Sequence, residues 1–237
     1  MGKKEATGLP LAMRIDVVCA VPQLFGSFLE ASITGRARSS GLVQVYIHNL
    51  HDFATDAHRH IDDTPFGGGA GMILQCEPVF ACIEKLHSER RYDEVIYLCP
   101  DGEPLHQGMC IELSGKRNLI LLAGHYKGID QRIRDVLVTR EISVGDYVLT
   151  GGELAAAVLI DAVVRLIPAA VGNAESVLDD SFMDGLLDPP HYTKPAVFRN
   201  HAVPDVLLSG NHQLIQNWRH EQAIEKTRTR RPDLLDE

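Results

Sequence analysis

"LILLAGHYKGID", Leu119 to Asp130, joins two unlike halves. Its first six residues are apolar on both faces, as a strand covered by a layer on each side must be. The rest mixes glycine with tyrosine, lysine and aspartate and reads as a loop leaving a sheet. The same junction recurs on either side: "VIYLCP" (95–100) runs into "PDGEP", and "EISVG" (141–145) runs into "GDYVLTGGEL". Upstream, "IDVVCAV" (15–21) reads as a first strand and "LVQVYIHNL" (42–50) has the in-out alternation of a second. Helical stretches lie between them: "EPVFACIEKLHSERR", with Pro78 near its first turn, and the shorter "HQGMCIELS". From about Arg14 to Pro168 this alternation predicts an α/β domain with a mostly parallel sheet flanked by helices. Ligands of such sheets collect beyond the carboxyl ends of the strands. Three successive loops carrying Tyr126, Asp130, Asp146 and Tyr147 beside their glycines ask for more than turns, and predict one shared site.

A glycine-rich stretch, "PFGGGAGM" (65–72), excludes two familiar nucleotide sites. It lacks the Gly-Lys-Ser/Thr ending of a phosphate loop, and Met72 stands where a dinucleotide fingerprint started at Gly67 needs its third glycine. What remains is a binding loop or a strained turn.

The chain has 237 residues, 45% of them hydrophobic, enough for a large domain plus a small one. Its five cysteines show no C-x-x-C spacing and imply reduced thiols in a cytoplasmic protein without a zinc site. The start, residues 1–12, lacks the apolar core of a signal peptide and is expected to be a disordered extension. The run "LAAAVLIDAVVRLIPAAV" from Leu154 is interrupted by Asp161 and Arg165 and ended by Pro168, which predicts a buried helix and no membrane association. A net charge of -9 argues against a general nucleic-acid binder.

After residue 171 the texture changes. "VGNAESVLDDSFMDGLLDPP" carries five acids and no base, so residues 172–190 are expected to form a flexible interdomain linker. Residues 191–237 hold 7 Lys/Arg against 6 Asp/Glu and predict a small all-α C-terminal domain. Asn211 is a good cap for a helix through about Arg228, with Leu214, Ile215 and Trp218 as an apolar cluster. Arg219, Lys226 and Arg230 fall near one another at helical spacing if that helix runs on. They are either a solvated face or a phosphate-contacting stripe.

Taken in order, "PFGGGAGM", "GHYKGID", "SVGDYVLTGGELAA", "DDSFMDGLLDPPHYTKP" and "VLLSGNH…W" resemble the bacterial tRNA (guanine-N1)-methyltransferases of the SPOUT class, over about Met13 to Leu235. The resemblance implies a deep trefoil knot in the C-terminal part of the sheet and S-adenosylmethionine as methyl donor. It implies methylation of N1 of the guanine immediately 3′ of the anticodon of tRNA, by a homodimer with each active site at the subunit interface. By matching positions, the donor would be held by Tyr97, Leu98 and Pro100, then Gly124 and Tyr126, then Val144, Gly145, Tyr147, Leu149, Gly151 and Gly152. Asp180 matches the family's general base and Arg165 the arginine that polarises the target base. Gly67, Gly68 and Gly69 would admit that base. Asp188, His191, Arg219, Lys226 and Arg230 would meet the RNA.

The chemistry asks for such groups: N1 of guanine carries a proton that a base must remove, and a cation offsets the charge then developing on O6. Relatives are generally helped by Mg2+, and the family's usual Gly-Arg-Tyr-Glu-Gly-Ile-Asp becomes "GHYKGID" here, with Lys127 in place of a glutamate. A lysine cannot bind a hard cation. Two other classes stay open on the residues alone: a knotted ribose 2′-O-methyltransferase, and a non-catalytic RNA-binding relative.

Overall fold

The computed structural model describes residues 12–172 and 180–235. The expected disordered extension therefore lies outside the described residues apart from Ala12, as do residues 173–179 of the expected linker. The chain divides into two compact units, Met1–Gly172 and Asn173–Glu237.

In the first unit five strands form one sheet: β1 (Met13–Cys19), β2 (Val43–Asn49), β5 (Glu94–Pro104), β6 (Asn118–Ala123) and β7 (Arg140–Ser143). Their order is β2-β1-β6-β5-β7, and every pairing is parallel. The short β3 (Asp62–Asp63) and β4 (Ile73–Leu74) make a separate antiparallel pair. Parallel neighbours need crossovers, and these put helices on both faces. On one side α1 (Gly26–Glu30), α2 (Ser32–Ser39), α4 (Gln107–Ser114) and α6 (Glu153–Val164) bury Leu29, Ala37, Leu113, Leu159 and Ile160 against Ile15, Val17 and Leu121. On the other, α3 (Cys76–Glu89) and α5 (Gln131–Leu137) bury Val79, Ile83, Leu86 and Ile133 against Val18, Ile120 and Leu122. Central β6 is covered on both faces, whereas edge strand β2 alternates at its start. Both match the apolar patterns of their sequences.

Caps set the helix starts. His106 accepts the Met109 amide at the head of α4, and Asp130 accepts that of Arg132 at the head of α5. The expected loop "PDGEP" is instead a continuation of β5. After a register break between Leu98 and Glu103, the strand re-pairs with β7. Gly102 permits this, because a Cβ there would come within 2.6 Å of the Glu141–Ile142 backbone.

One ionised group lies inside this layer. Asp16 of β1 is fully buried and accepts from Arg14 Nε at 2.6 Å and the Tyr92 hydroxyl at 2.7 Å, with His48 Nε2 at 2.7 Å. Arg14 in turn stacks 4.0 Å over the Tyr46 ring. Burial by itself would raise the carboxyl, but the hydrogen bonds of His48, Arg14 and Tyr92 together bring it down to about 2.

The second unit contains α7 (Asp205–Leu208) and α8 (His212–Arg230), the latter capped by Asn211 through the Leu214 amide. The helix continues two residues past the expected end, so Arg230 is helical. The all-α expectation needs correcting: β8 (Val197–Phe198) and β9 (His201–Ala202) form an antiparallel hairpin turned at Arg199 and Asn200, both at positive φ. Two strands of two residues each are too short to show an alternation in the sequence. The described part of the acidic segment is bonded to α8: Leu187 donates its amide to the Thr227 hydroxyl at 2.9 Å. Among the described residues, no helix is long and apolar enough to cross a membrane.

Candidate functional site

The ends of β6, β5 and β7 lie side by side and build one cleft from residues 97–100, 124–128, 142–145, 147–152 and 155. With the solvent of its open mouth counted in, the space amounts to about 600 Å³. Every residue nominated for the donor lines it: Tyr97, Leu98 and Pro100 on the first segment, Gly124 and Tyr126 on the second, and Val144, Gly145, Tyr147, Leu149, Gly151 and Gly152 on the third.

Glycine is needed here because two loops lie backbone to backbone. Gly152 donates its amide to the Gly124 carbonyl at 2.6 Å. A Cβ on Gly152 would sit 2.8 Å from Gly124 N and 2.9 Å from Ala123 Cα, and neither can retreat like a flexible side chain. Gly152→Ala is therefore expected to cost about 1–3 kcal/mol by overpacking, measured by chemical denaturation. An unchanged midpoint would refute the packing just described.

A carboxylate ties the cleft together from below. Glu153, the first residue of α6, is 1% exposed, accepts the Val21 amide at 3.1 Å and lies 3.4 Å from His125 Nδ1. It thus joins the segment after β1 to the loop after β6. Tyr126 holds a positive φ of 59°, a conformation a non-glycine residue keeps only where its surroundings impose it. Burial pushes the Tyr97 phenol up to about 12, so it is a neutral wall of the cleft. Among the lining residues Lys127 is the one lysine or arginine, His125 the one histidine, and none is Asp or Glu.

Beside the cleft, Gly67, Gly68, Gly69 and Gly71 all hold positive φ. Their freedom lets the loop cross the Lys127 side chain, since a Cβ on Gly71 would lie 3.4 Å from Lys127 Cβ. The Lys127 amide donates to the Met72 carbonyl at 3.0 Å, and Leu74 donates to Gly128 at 3.0 Å, which fastens the glycine loop to the donor loop.

This chain matches the family model "tRNA (Guanine-1)-methyltransferase TrmD" over residues 13–237. The chain belongs to the tRNA (guanine-1)-methyltransferase family. It is 55% identical over 224 residues to a tRNA (guanine-N(1)-)-methyltransferase of Chlorobium chlorochromatii, covering 94% of this chain and 97% of that one. Proteins of the same name from Christiangramia forsetii and Bacteroides thetaiotaomicron are 54% and 52% identical over 225 residues, each covering 95% of this chain and 100% of the relative.

The other residues matched to the methyltransferase family fall in separate places. Arg165 caps the C-terminus of α6, its amide bonded to Asp161 O at 3.3 Å, and is not among the cleft-lining residues. In the second unit, Asp180, Asp188, His191 and Arg219 line a common hollow. Asp188 is held by Ser181, by His191 at 3.0 Å and by Lys226 at 3.5 Å; the Ser181 hydrogen bond leads in keeping its carboxyl below the usual range. Lys226 also donates to the Asp188 carbonyl at 2.6 Å, so it serves this anchor as well as the helix face. Arg230 is exposed and does not line the hollow.

Sequence reading missed Glu153 and Thr227. An acid at the head of a helix whose next seven residues are apolar was the signal for the first. Thr227, fully buried in α8, donates to the Ala223 carbonyl at 2.7 Å, and one threonine in "EKTRTR" carries no such signal.

Proposed function

We propose that this chain methylates N1 of the guanine immediately 3′ of the anticodon in tRNA, with S-adenosylmethionine as donor. The observation that carries the reading is the convergence of all the nominated donor residues, from strand β5 and from the segments after β6 and β7, on one cleft. The residues fit the donor. Leu98, Val144 and Leu149 supply apolar walls, and Gly128 leaves open space where a Cβ would stand. The donor supplies a methyl group already activated on a sulfonium.

The protein's own residues do the rest. The cleft walls hold the adenosine part, orient it and exclude water from the line of displacement. Asp180 accepts the N1 proton, leaving the nitrogen lone pair free to attack. Arg165 offsets the negative charge that develops on O6, a role an always-charged guanidinium can fill and a base cannot. The glycine loop gives the flat base access to backbone. Arg219 and Arg230 contact RNA phosphate.

The working form is a homodimer with an active site at each subunit interface, and the knot belongs to the same proposal. Leu154 and Val158, one turn apart on α6, together with Val148 are at least half exposed, an apolar surface suited to a second copy. A divalent ion does not fit the cleft as built. With no carboxylate on its lining it offers no anionic side-chain oxygen, and no step is assigned to Mg2+.

The test is methyl transfer to tRNA transcripts that differ only at the target guanine, followed by digestion to nucleosides. The expected product is 1-methylguanosine from the guanine-bearing transcript alone. A ribose-methylated nucleoside, or no product, would overturn the assignment.

A further inference from the structure

Lys127 is the feature of the cleft that the chemistry above does not use. Its position is imposed from both sides. The backbone is bonded to Met72, the stem lies against Gly71, and the ammonium is 3.9 Å from where a Cβ of Gly69 would stand. Among the described residues this ammonium makes no ion pair with the protein. The cleft it lines holds no other lysine or arginine and no carboxylate; apart from His125 its walls are apolar side chains, glycine backbone and hydroxyls. An ammonium held at such a place recruits an anion from the ligand.

We infer that Lys127 is the carboxylate-binding residue of the donor cleft: it engages the α-carboxylate of the donor's amino-acid arm and so discriminates a full donor from a bare nucleoside. This rests on the donor assignment above and adds to it the group that reads the far end of the ligand. The choice follows from charge. S-adenosylmethionine has one anionic group, the carboxylate, and two cationic ones, the sulfonium and the α-ammonium. The other nitrogen-bearing side chain on the lining, His125, faces the buried Glu153 carboxylate at 3.4 Å, and the two cations are repelled from the lysine. The ligand is thereby oriented along the cleft, amino-acid arm toward the glycine loop and adenine toward the apolar walls. Lys127 is an exposed side chain, so solvent screens the contact and its effect is at the lower end for a charge-assisted hydrogen bond.

The experiment is calorimetric and uses the full chain without RNA. Two probes are titrated: S-adenosylhomocysteine, which keeps the carboxylate, and 5′-methylthioadenosine, which lacks the amino-acid arm. Lys127→Met, which keeps an apolar stem, is expected to weaken S-adenosylhomocysteine by about ten-fold and to leave 5′-methylthioadenosine unchanged. Lys127→Arg should recover most of the loss, and raised salt should weaken the first probe only. Equal losses for both probes would make Lys127 a packing residue and overturn the inference. So would unchanged affinity for both. In either case the donor cleft stands. Failure of the unsubstituted protein to bind either probe would overturn the cleft assignment and this inference together.

Discussion

Asp180→Ala is expected to lower the turnover of methyl transfer by about 10³-fold, the size of a positioned general base, equivalent to about 4 kcal/mol of barrier. Asp180→Asn should lose nearly as much, since an amide keeps the shape but cannot accept the proton. The affinity for S-adenosylhomocysteine should stay within a few-fold in both, because Asp180 belongs to the hollow of the C-terminal unit and is not among the residues lining the cleft proposed for the donor. Single-turnover rates with tRNA in excess separate the chemical step from RNA binding. A rate within three-fold of the parent's would place the base elsewhere.

Asp16→Ala is the largest expected stability effect, about 3–5 kcal/mol, because it leaves Arg14, His48 and Tyr92 facing an uncompensated gap. The sign of its pH dependence follows from the depressed carboxyl. With the folded value near 2 against an ordinary 3.8, the stabilisation is fully present above about pH 4 and is lost as pH falls through about 2. The contribution over that window is about 2 kcal/mol. Urea unfolding of the parent and of Asp16→Asn should therefore converge between pH 4 and pH 2. A constant difference across that range would mean that folding does not lower the Asp16 carboxyl below its ordinary value.

The parts of this fold that periodicity exposes are those buried symmetrically. "LILLAG" and "VIYLCP" are apolar on both faces, and the structure places them as β6 and β5 in the middle of the sheet. The apolar run from Leu154 became α6, although its true start is the polar Glu153, whose partners at Val21 and His125 are far away in sequence. Crossover helices α1 and α2 were not read. Their segment "GSFLEASITGRARS" buries mainly small or polar groups, Thr34, Gly35 and Ala37 beside Leu29, and shows no apolar stripe. The Asp16 network was equally hidden: an aspartate inside "IDVVCAV" gives no hint that residues 48 and 92 come to meet it.

For the site, the string of motifs led to the lining of the cleft and to the hollow containing Asp180 and Asp188. It did not reveal that Lys226 is occupied by Asp188, nor that the glycines at 67–71 bend over Lys127. Such facts depend on which residues share a neighbourhood, and neighbourhoods are set by topology and not by spacing along the chain.

The buried Glu153 has a consequence for anyone transplanting segments between relatives. A graft of residues 124–130 imports a new occupant at 125 opposite an enclosed carboxylate whose other oxygen is already engaged by Val21. Exchange therefore succeeds only in blocks. The turn after β1, the stretch after β6 and the head of α6 form one inheritable module, although more than a hundred residues of chain separate its outer members.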